Sequence, residues 1–363
     1  MALGVSWAGA RTLLVDVDGR QVRALSYDDV TPAPEPGERV LLNTNAVEAD
    51  LGTGGLAMVV ALPDRDAPAG PHPPGHLVKA RYTPLQQMVA GADEQGSAHH
   101  AALRDADDLE GMPVLAADLH SSLPAVLAGL LARAPRARVA YVMTDGGALP
   151  AAFSRTVAGL RGAGWLSTVV TVGQAYGGDL EAVSVHSGLL AARVAAGADV
   201  AVVAQGPGNL GTGTRWGFSG VTAGEALNAA SVLGGRPVAA LRVSQADPRA
   251  RHRGISHHSL TAYGRVLLRP ADLAVPVLRG APGVPEEVAL AVLDQAGALV
   301  AAAPHLCRHD VDVAGLTEAL AACPVALSTM GRGPEEDPAA FLAAAAAGRH
   351  AAGLLGPGHP GAG

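Results

Sequence analysis

Five side chains in this sequence are of types that do chemistry and stand where a parallel sheet would present them: Asp118, His120, Asp145, His257 and His258. Asp118 and His120 follow the apolar run Pro113 to Ala117, and Asp145 follows Arg138 to Met143. His257 and His258 come after Pro237 to Val243, in a polar loop with three histidines. Ligands of open parallel sheets bind beyond the carboxyl ends of the strands, so all five are expected on one edge. An imidazole oriented by a carboxylate is a general acid–base pair for neutral pH. Two carboxylates with two or three histidines also suit a first-row metal. The spacings select neither. There is no His-Glu-x-x-His and no Cys-x-x-Cys, and Gly217-Phe218-Ser219-Gly220-Val221 has valine where a nucleophile elbow needs its last glycine. No metal ligand is assigned. Structural roles compete for the same residues: Asp118 and Ser122 as helix caps, Asp145 closing a turn with Gly146, and His257-His258 as a solvated loop pair.

A second candidate is the glycine-dense stretch Gln205 to Glu225, between the apolar run Val200 to Ala204 and a helix start marked by Thr222 and Glu225. Gly206, Gly208 and Gly211 fit G-x-G-x-x-G, but the helix begins well after them, unlike the dinucleotide fingerprint. A P-loop needs Gly-Lys-Ser/Thr, and Lys79 is the sole lysine. What remains is a loop whose N–H groups can surround an anion, with Gly206, Gly208, Asn209, Gly211, Thr212, Gly213 and Thr214 as the binding residues and Arg215 beside them. The competing role is a turn that lets backbone pass close to a neighbour. Arg332 either clamps an anion or pairs with Glu335 or Glu336. Lys79 reads as an edge residue of the strand Leu77 to Tyr82. His99-His100, His186 and His305/His309 lack supporting ligands.

The elements that must position these residues fall into unlike parts. Residues 1–85 hold short β-like runs, Thr12 to Val17, Gln21 to Leu25, Arg39 to Leu42 and Ala57 to Ala61, divided by turn residues. They predict a small antiparallel barrel or sandwich, with a tight turn at Leu51 to Gly55. Residues 86–112 read as a linker. Residues 113–352 alternate apolar strands with amphipathic helices, which predicts an α/β fold: a parallel sheet with helices on both faces, Rossmann-like and three-layered. Later elements expected are strands Arg265 to Leu268, Leu273 to Leu278 and Pro324 to Leu327, helices Glu286 to Ala302 and Val313 to Ala322, and a last helix capped by Asp337. Residues 353–363, glycine and proline, are expected to be disordered.

Composition bounds the partners. Apolar residues make up 49% but aromatics only 3%, so a core of small side chains must bury extended sheet and helix faces. The formal charge of −7 argues against nucleic-acid or anionic-membrane binding. There is no basic-then-apolar start of a signal peptide and no transmembrane run. Cys307 and Cys323 suit two buried thiols in a reducing cytoplasm. A homodimer is the default assembly.

The chain resembles a bacterial, actinobacterial-type family, the domain-of-unknown-function family 3866. The similar stretches are Leu41-Leu42-Asn43-Thr44, Gly52-Thr53-Gly54-Gly55, His76 to Gln86, Gly206-Pro207-Gly208 with Gly211-Thr212-Gly213-Thr214, His257-His258, and Ser328 to Arg332. Asn45 stands where a second threonine is expected. The resemblance implies a cytoplasmic bacterial protein and brings no activity or cofactor. The expectation is therefore a protein that binds a phosphorylated or other anionic small molecule at the glycine loop, as an acid–base or metal-assisted enzyme. The alternative is a non-catalytic metabolite-sensing or assembly protein acting through its N-terminal β region.

Overall fold

The computed structural model describes residues 2–51, 54–65 and 75–356. The expected turn at Gly52-Thr53, most of the proline-rich stretch with His72, and the tail from 357 onward lie outside the described residues.

The first sheet orders its strands β1-β2-β3-β5-β4. They are β1 (Ala2–Trp7), β2 (Ala10–Val17), β3 (Arg20–Tyr27), β4 (Leu41–Asn43) and β5 (Ala57–Ala61). The sheet is open and mixed, with β3 and β5 parallel and the other pairs antiparallel. A barrel or sandwich was the expectation. The reason for one open layer is the small core, five buried residues: Leu13, Val15, Ala24, Ala57 and Val59. The sheet leans on the rest of the chain through Trp7, whose indole N–H donates to the Ala152 carbonyl at 2.7 Å. A separate antiparallel ribbon follows, β6 (Leu77–Lys79) with β7 (Gln87–Val89). Residues 86–112 also send Leu103, Leu109 and Met112 into the main core.

The main sheet has eight strands in the order β11-β10-β9-β12-β8-β13-β16-β17, all pairs parallel. They are β8 (Pro113–Ala116), β9 (Val139–Thr144), β10 (Thr168–Thr171), β11 (Leu180–Glu181), β12 (Val200–Gln205), β13 (Arg236–Ala240), β16 (Ala271–Val277) and β17 (Leu306–Asp312). The small hairpin β14 (Val243–Ser244) and β15 (Gly254–Ile255) stands apart. Every residue of β8, β9 and β12 is buried, as expected for strands covered on both faces. On one face, helix Pro338–Gly353 packs on helix Leu123–Arg133 so closely that a Cβ on Gly129 or Gly348 would strike the other helix's carbonyl oxygen. Helices Val185–Leu190 and Thr222–Val232 pack on each other and on the β9, β12 and β8 region.

Chain order decides where the site lies. The connection leaving β8 runs to β9 in one direction, and the one leaving β12 runs to β13 in the other. The connection leaving β13 runs on to β16, away from that of β8, so between β8 and β13 the sheet has a switch point, where the carboxyl-end loops part and leave a crevice.

Several sequence expectations need correction. Arg265 to Leu268 is not a strand: Ala262–Val266 is a π-helical turn continuing the helix His257–Thr261. Pro324 to Leu327 forms no strand, and the edge place beside β16 belongs to β17, which the i, i+4 histidines His305 and His309 disguised. Its outer residues are exposed, so it lacks the continuous apolar run of its neighbours. Asp337 does not cap its helix, because its carboxylate accepts instead from Ser244 Oγ and the Gln245 N–H. The Thr222/Glu225 box does not form either; the Thr222 hydroxyl donates to the Ser219 carbonyl at 3.1 Å. Cys307 is exposed rather than buried. Lys79 is 2% exposed. Its ammonium donates to the Ala175 and Ala182 carbonyls at 3.0 and 3.1 Å and lies 3.3 Å from Glu181 Oε2, a distance at which charge acts although the angle makes no hydrogen bond. The pair pins the β6–β7 ribbon to β11.

Candidate functional site

Asp118 leaves the end of β8 and is 2% exposed. Arg242, two residues beyond β13, lies with Nη1 3.4 Å from Asp118 Oδ2. His258, in the first turn of helix His257–Thr261, places Nδ1 3.1 Å from the same oxygen. A carboxylate only accepts, so this bond puts the proton on Nδ1 and leaves Nε2 its lone pair. Arg242 Nη1 also lies 3.0 Å from His258 Nδ1, and with that nitrogen protonated its acceptor is Asp118. Burial by itself would raise the Asp118 carboxyl, but the His258 hydrogen bond and the Arg242 charge outweigh it and hold it below the usual range. Phe218, at the end of the glycine loop, stacks on the His258 ring at 3.8 Å with planes 5° apart. The ring is thus clamped by an aromatic face and an ion pair.

Local sequence explains the placement. Ser256 caps the helix, accepting from the His258 N–H at 3.2 Å, while the Arg242 N–H donates to Ser259 Oγ at 2.9 Å. These bonds tie the helix start to the end of β13. Ser256 Oγ also meets His252 Nδ1 at 2.7 Å. His252, His257 and His258 therefore converge, with one nitrogen of each within 4.8 Å of the others. Burial, then neighbouring positive charge, lowers His252 to about 3 and His257 to about 4. Both are neutral imidazoles at neutral pH. His257 Nε2 is enclosed and has no hydrogen-bond partner among the described residues.

Beside this cluster runs a groove of about 720 Å³ lined by His257, Gln295 and three arginines, Arg215, Arg251 and Arg265. Among the described residues none of the three arginines makes an ion pair. Arg215 comes from the glycine loop, and Arg251 passes against Gly213 of that loop.

The glycine loop itself is a folded-back excursion. The Thr212 N–H donates to the Gly217 carbonyl at 2.7 Å, and the Ser219 N–H to Leu210 at 3.0 Å. Thr212 and Thr214 hydroxyls bond each other at 3.1 Å, and Thr214 accepts from the Gly217 N–H. Asn209 Oδ1 accepts from Gln205 Nε2 and Ser219 Oγ. Gly206 is needed for close approach, since a Cβ there would strike the Ala148 carbonyl. Gly208 and Gly211 face open space. The loop spends most of its polar groups on its own shape and presents Arg215 and Trp216 outward.

Two of the five sequence candidates stand apart from this cluster. The Tyr141 hydroxyl donates to the Gln205 carbonyl at 2.9 Å, so His120 Nδ1–H donates to Tyr141 at 3.0 Å, and Nε2 accepts from Ser154 Oγ at 2.7 Å. Both nitrogens are used, and burial lowers the imidazole to about 4. Asp145 is exposed and accepts from the Gln174 N–H at 2.9 Å. Arg332 pairs with Asp337 at 3.1 Å and lies 3.6 Å from Asp247, with neither of the glutamates expected.

The family model described as "Protein of unknown function (DUF3866)" matches residues 23–348. The chain belongs to that family. No curated protein and no solved structure matches it. Every residue of the cluster and the groove falls within the span matched to DUF3866.

Sequence reasoning missed Arg242, Phe218 and the role of His252. Arg242 was hidden because the run to Val243 reads as one strand, whereas β13 ends at Ala240. His252 was visible only as one of three histidines in a loop.

Proposed function

We propose that this protein binds an anionic small molecule, a phosphate ester or related oxyanion, in the groove between the glycine loop and the segment 250–266, and acts on it with the Asp118–His258 pair. The observation that carries this reading is the set Arg215, Arg251 and Arg265: three guanidinium groups with no carboxylate partner among the described residues, on one groove beside a histidine cluster. Unpaired arginines in a concavity hold carboxylate or phosphate oxygens bidentately. Asp118 orients His258 so that Nε2 carries the free lone pair, the form a general base needs. The same reading leaves His120 and Asp145 to structure. It makes the protein cytoplasmic, in keeping with free thiols and a charge of −7, and gives it no nucleic-acid partner. No helix among the described residues is long and apolar enough to cross a membrane.

The test is calorimetric titration with inorganic phosphate and pyrophosphate. Arg215→Ala and Arg251→Ala should each weaken binding about tenfold, roughly 1.4 kcal/mol. Unchanged affinity in the double variant overturns the proposal. One observation favours a second reading, assembly through the N-terminal sheet: β1 is an edge strand with Leu3 and Val5 half-exposed. Native mass spectrometry of the full chain and of a Leu3→Lys, Val5→Lys variant separates the two. An oligomer lost in the variant supports assembly, and a monomer in both removes it.

A further inference from the structure

The geometry points to a metal site: His252, His257 and His258 bind one divalent first-row transition metal, zinc by chemistry, through their ring nitrogens. Three nitrogens within 4.8 Å of one another need only small shifts to reach the ~2.0–2.1 Å bonds of a zinc–imidazole site. Metal-bound histidines donate their other N–H to a carboxylate or another oxygen, which fixes tautomer and ring plane. His258 has that partner in Asp118 Oδ2 at 3.1 Å, and His252 has Ser256 Oγ at 2.7 Å. Each keeps Nε2 for a further ligand. His257 Nε2 is enclosed with no partner among the described residues, an unusual state for a buried polar atom and one that a metal would relieve. Phe218 fixes the His258 plane from the other side.

The donor set favours nitrogen-binding metals over calcium or magnesium, which take oxygen ligands. Arg242, 3.0 Å from His258 Nδ1, is compensated by Asp118. Three protein ligands leave a fourth position for water or substrate. His257 lines the arginine groove, so an oxyanion held by Arg215 and Arg251 would lie beside the metal. This last link rests on the anion-groove reading; the metal binding itself does not.

The other histidine cluster makes the contrast. Asp272 Oδ1 and Oδ2 engage His309 Nε2 at 3.1 Å and His350 Nε2 at 2.8 Å, so those imidazoles are already bonded within their own group.

The experiment uses chelator-treated full-length protein in phosphate-free buffer, titrated with Zn²⁺ by calorimetry and with Co²⁺ by visible absorption. One equivalent per chain with a tetrahedral Co²⁺ spectrum is expected. His257→Gln, at a partly buried position, and His252→Gln should each lower affinity at least about 100-fold, and Asp118→Asn about 10- to 100-fold. Folding of each variant is checked by circular dichroism. Absence of stoichiometric binding overturns the proposal. So does binding that survives in both histidine variants but is lost in His350→Gln. Phosphate titration of the metal-free protein reads the arginine groove separately, so the groove and the metal can each fall while the other stands; a metal on His258 Nε2 would take the lone pair otherwise assigned to a general base, and a metal-bound water would supply that chemistry instead.

Discussion

His252, His257 and His258 gather beyond the carboxyl ends of β8 and β13, whereas Asp272, His309 and His350 meet where β16 and β17 run under the last helix. Both groups hold imidazoles and a neighbouring aspartate. In the second, Asp272 lies between two histidines, uses both its oxygens on them, and remains partly open to water. In the first, Asp118 spends one oxygen on His258 and Arg242 and is sealed from water. The histidines there crowd one another and keep nitrogens free. The difference lies in how many acceptors face the imidazoles. Where acceptors match donors, the cluster closes into a fastening; where imidazoles outnumber them, it stays open to a ligand.

The largest expected effect is at Asp118. Asp118→Ala leaves Arg242 buried and unpaired, which should cost about 3–5 kcal/mol in denaturant unfolding. A loss under about 1 kcal/mol would mean that the carboxylate is not what holds the first cluster, and the contrast would break.

Next comes acid. The unfolded His120 imidazole titrates near 6.5 and the folded one at about 4, so the unfolded chain takes up the proton first as pH falls. The stability it contributes is whole above pH 6.5 and lost progressively down to pH 4. The upper bound is about 3 kcal/mol, reduced because the residue is partly exposed. Asp272 behaves differently. Burial would raise its carboxyl, but the hydrogen bond from His350 and the charges of His309 and His350 lower it. Its contribution is present above the usual carboxylate range and lost only as pH falls through the depressed value. Stability measured against pH should therefore lose part of its slope between 6.5 and 4 in His120→Phe, the remainder coming from His252 and His257. In Asp272→Asn the change should appear only at lower pH.

Gly348→Ala tests how the second cluster is positioned. The new methyl would strike the Val126 carbonyl and push apart the two helices, one of which carries His350. The expected cost is about 1–3 kcal/mol by thermal or denaturant unfolding, and the histidine NMR signal of His350 should move while that of His258 stays. The smallest effect is Asp272→Asn, about 1 kcal/mol or less, because its partners are part-exposed. A larger loss than that of Asp118→Ala would reverse the ranking of the two clusters.

Much of the main sheet was legible. Val200 to Ala204 and Arg138 to Met143 are continuous apolar runs, and such runs signal strands buried on both faces. Helix Glu286–Ala302 matches its expected bounds. Placing His258, Asp118 and the end of the glycine loop on one edge followed from strand order and holds in their geometry. β17 was illegible because an edge strand with exposed polar residues lacks the apolar signal, and the π-helical turn at Ala262–Val266 has no sequence signature of its own. Lys79 misled because one lysine in a short strand normally reaches solvent, and only the distant Glu181 and two carbonyls make its burial tolerable.

The kind of scaffold could be read from the residues alone. Alternating apolar strands and small-residue helices can bury their faces only as a parallel sheet between helix layers, and parallel order puts all strand ends on one side. Local pattern carries that information, since each element's periodicity lies in its own residues. Which polar groups meet is a property of the folded chain. Asp118 and His258 are 140 positions apart in the chain, and Asp272 and His350 are 78 apart. Whether an imidazole ends bonded to a tyrosine, tied to an aspartate or left with a free nitrogen depends on neighbours brought in by strand order and helix packing. Hydrogen bonding and desolvation act over a few ångströms of space, so the state of each histidine was set by the fold.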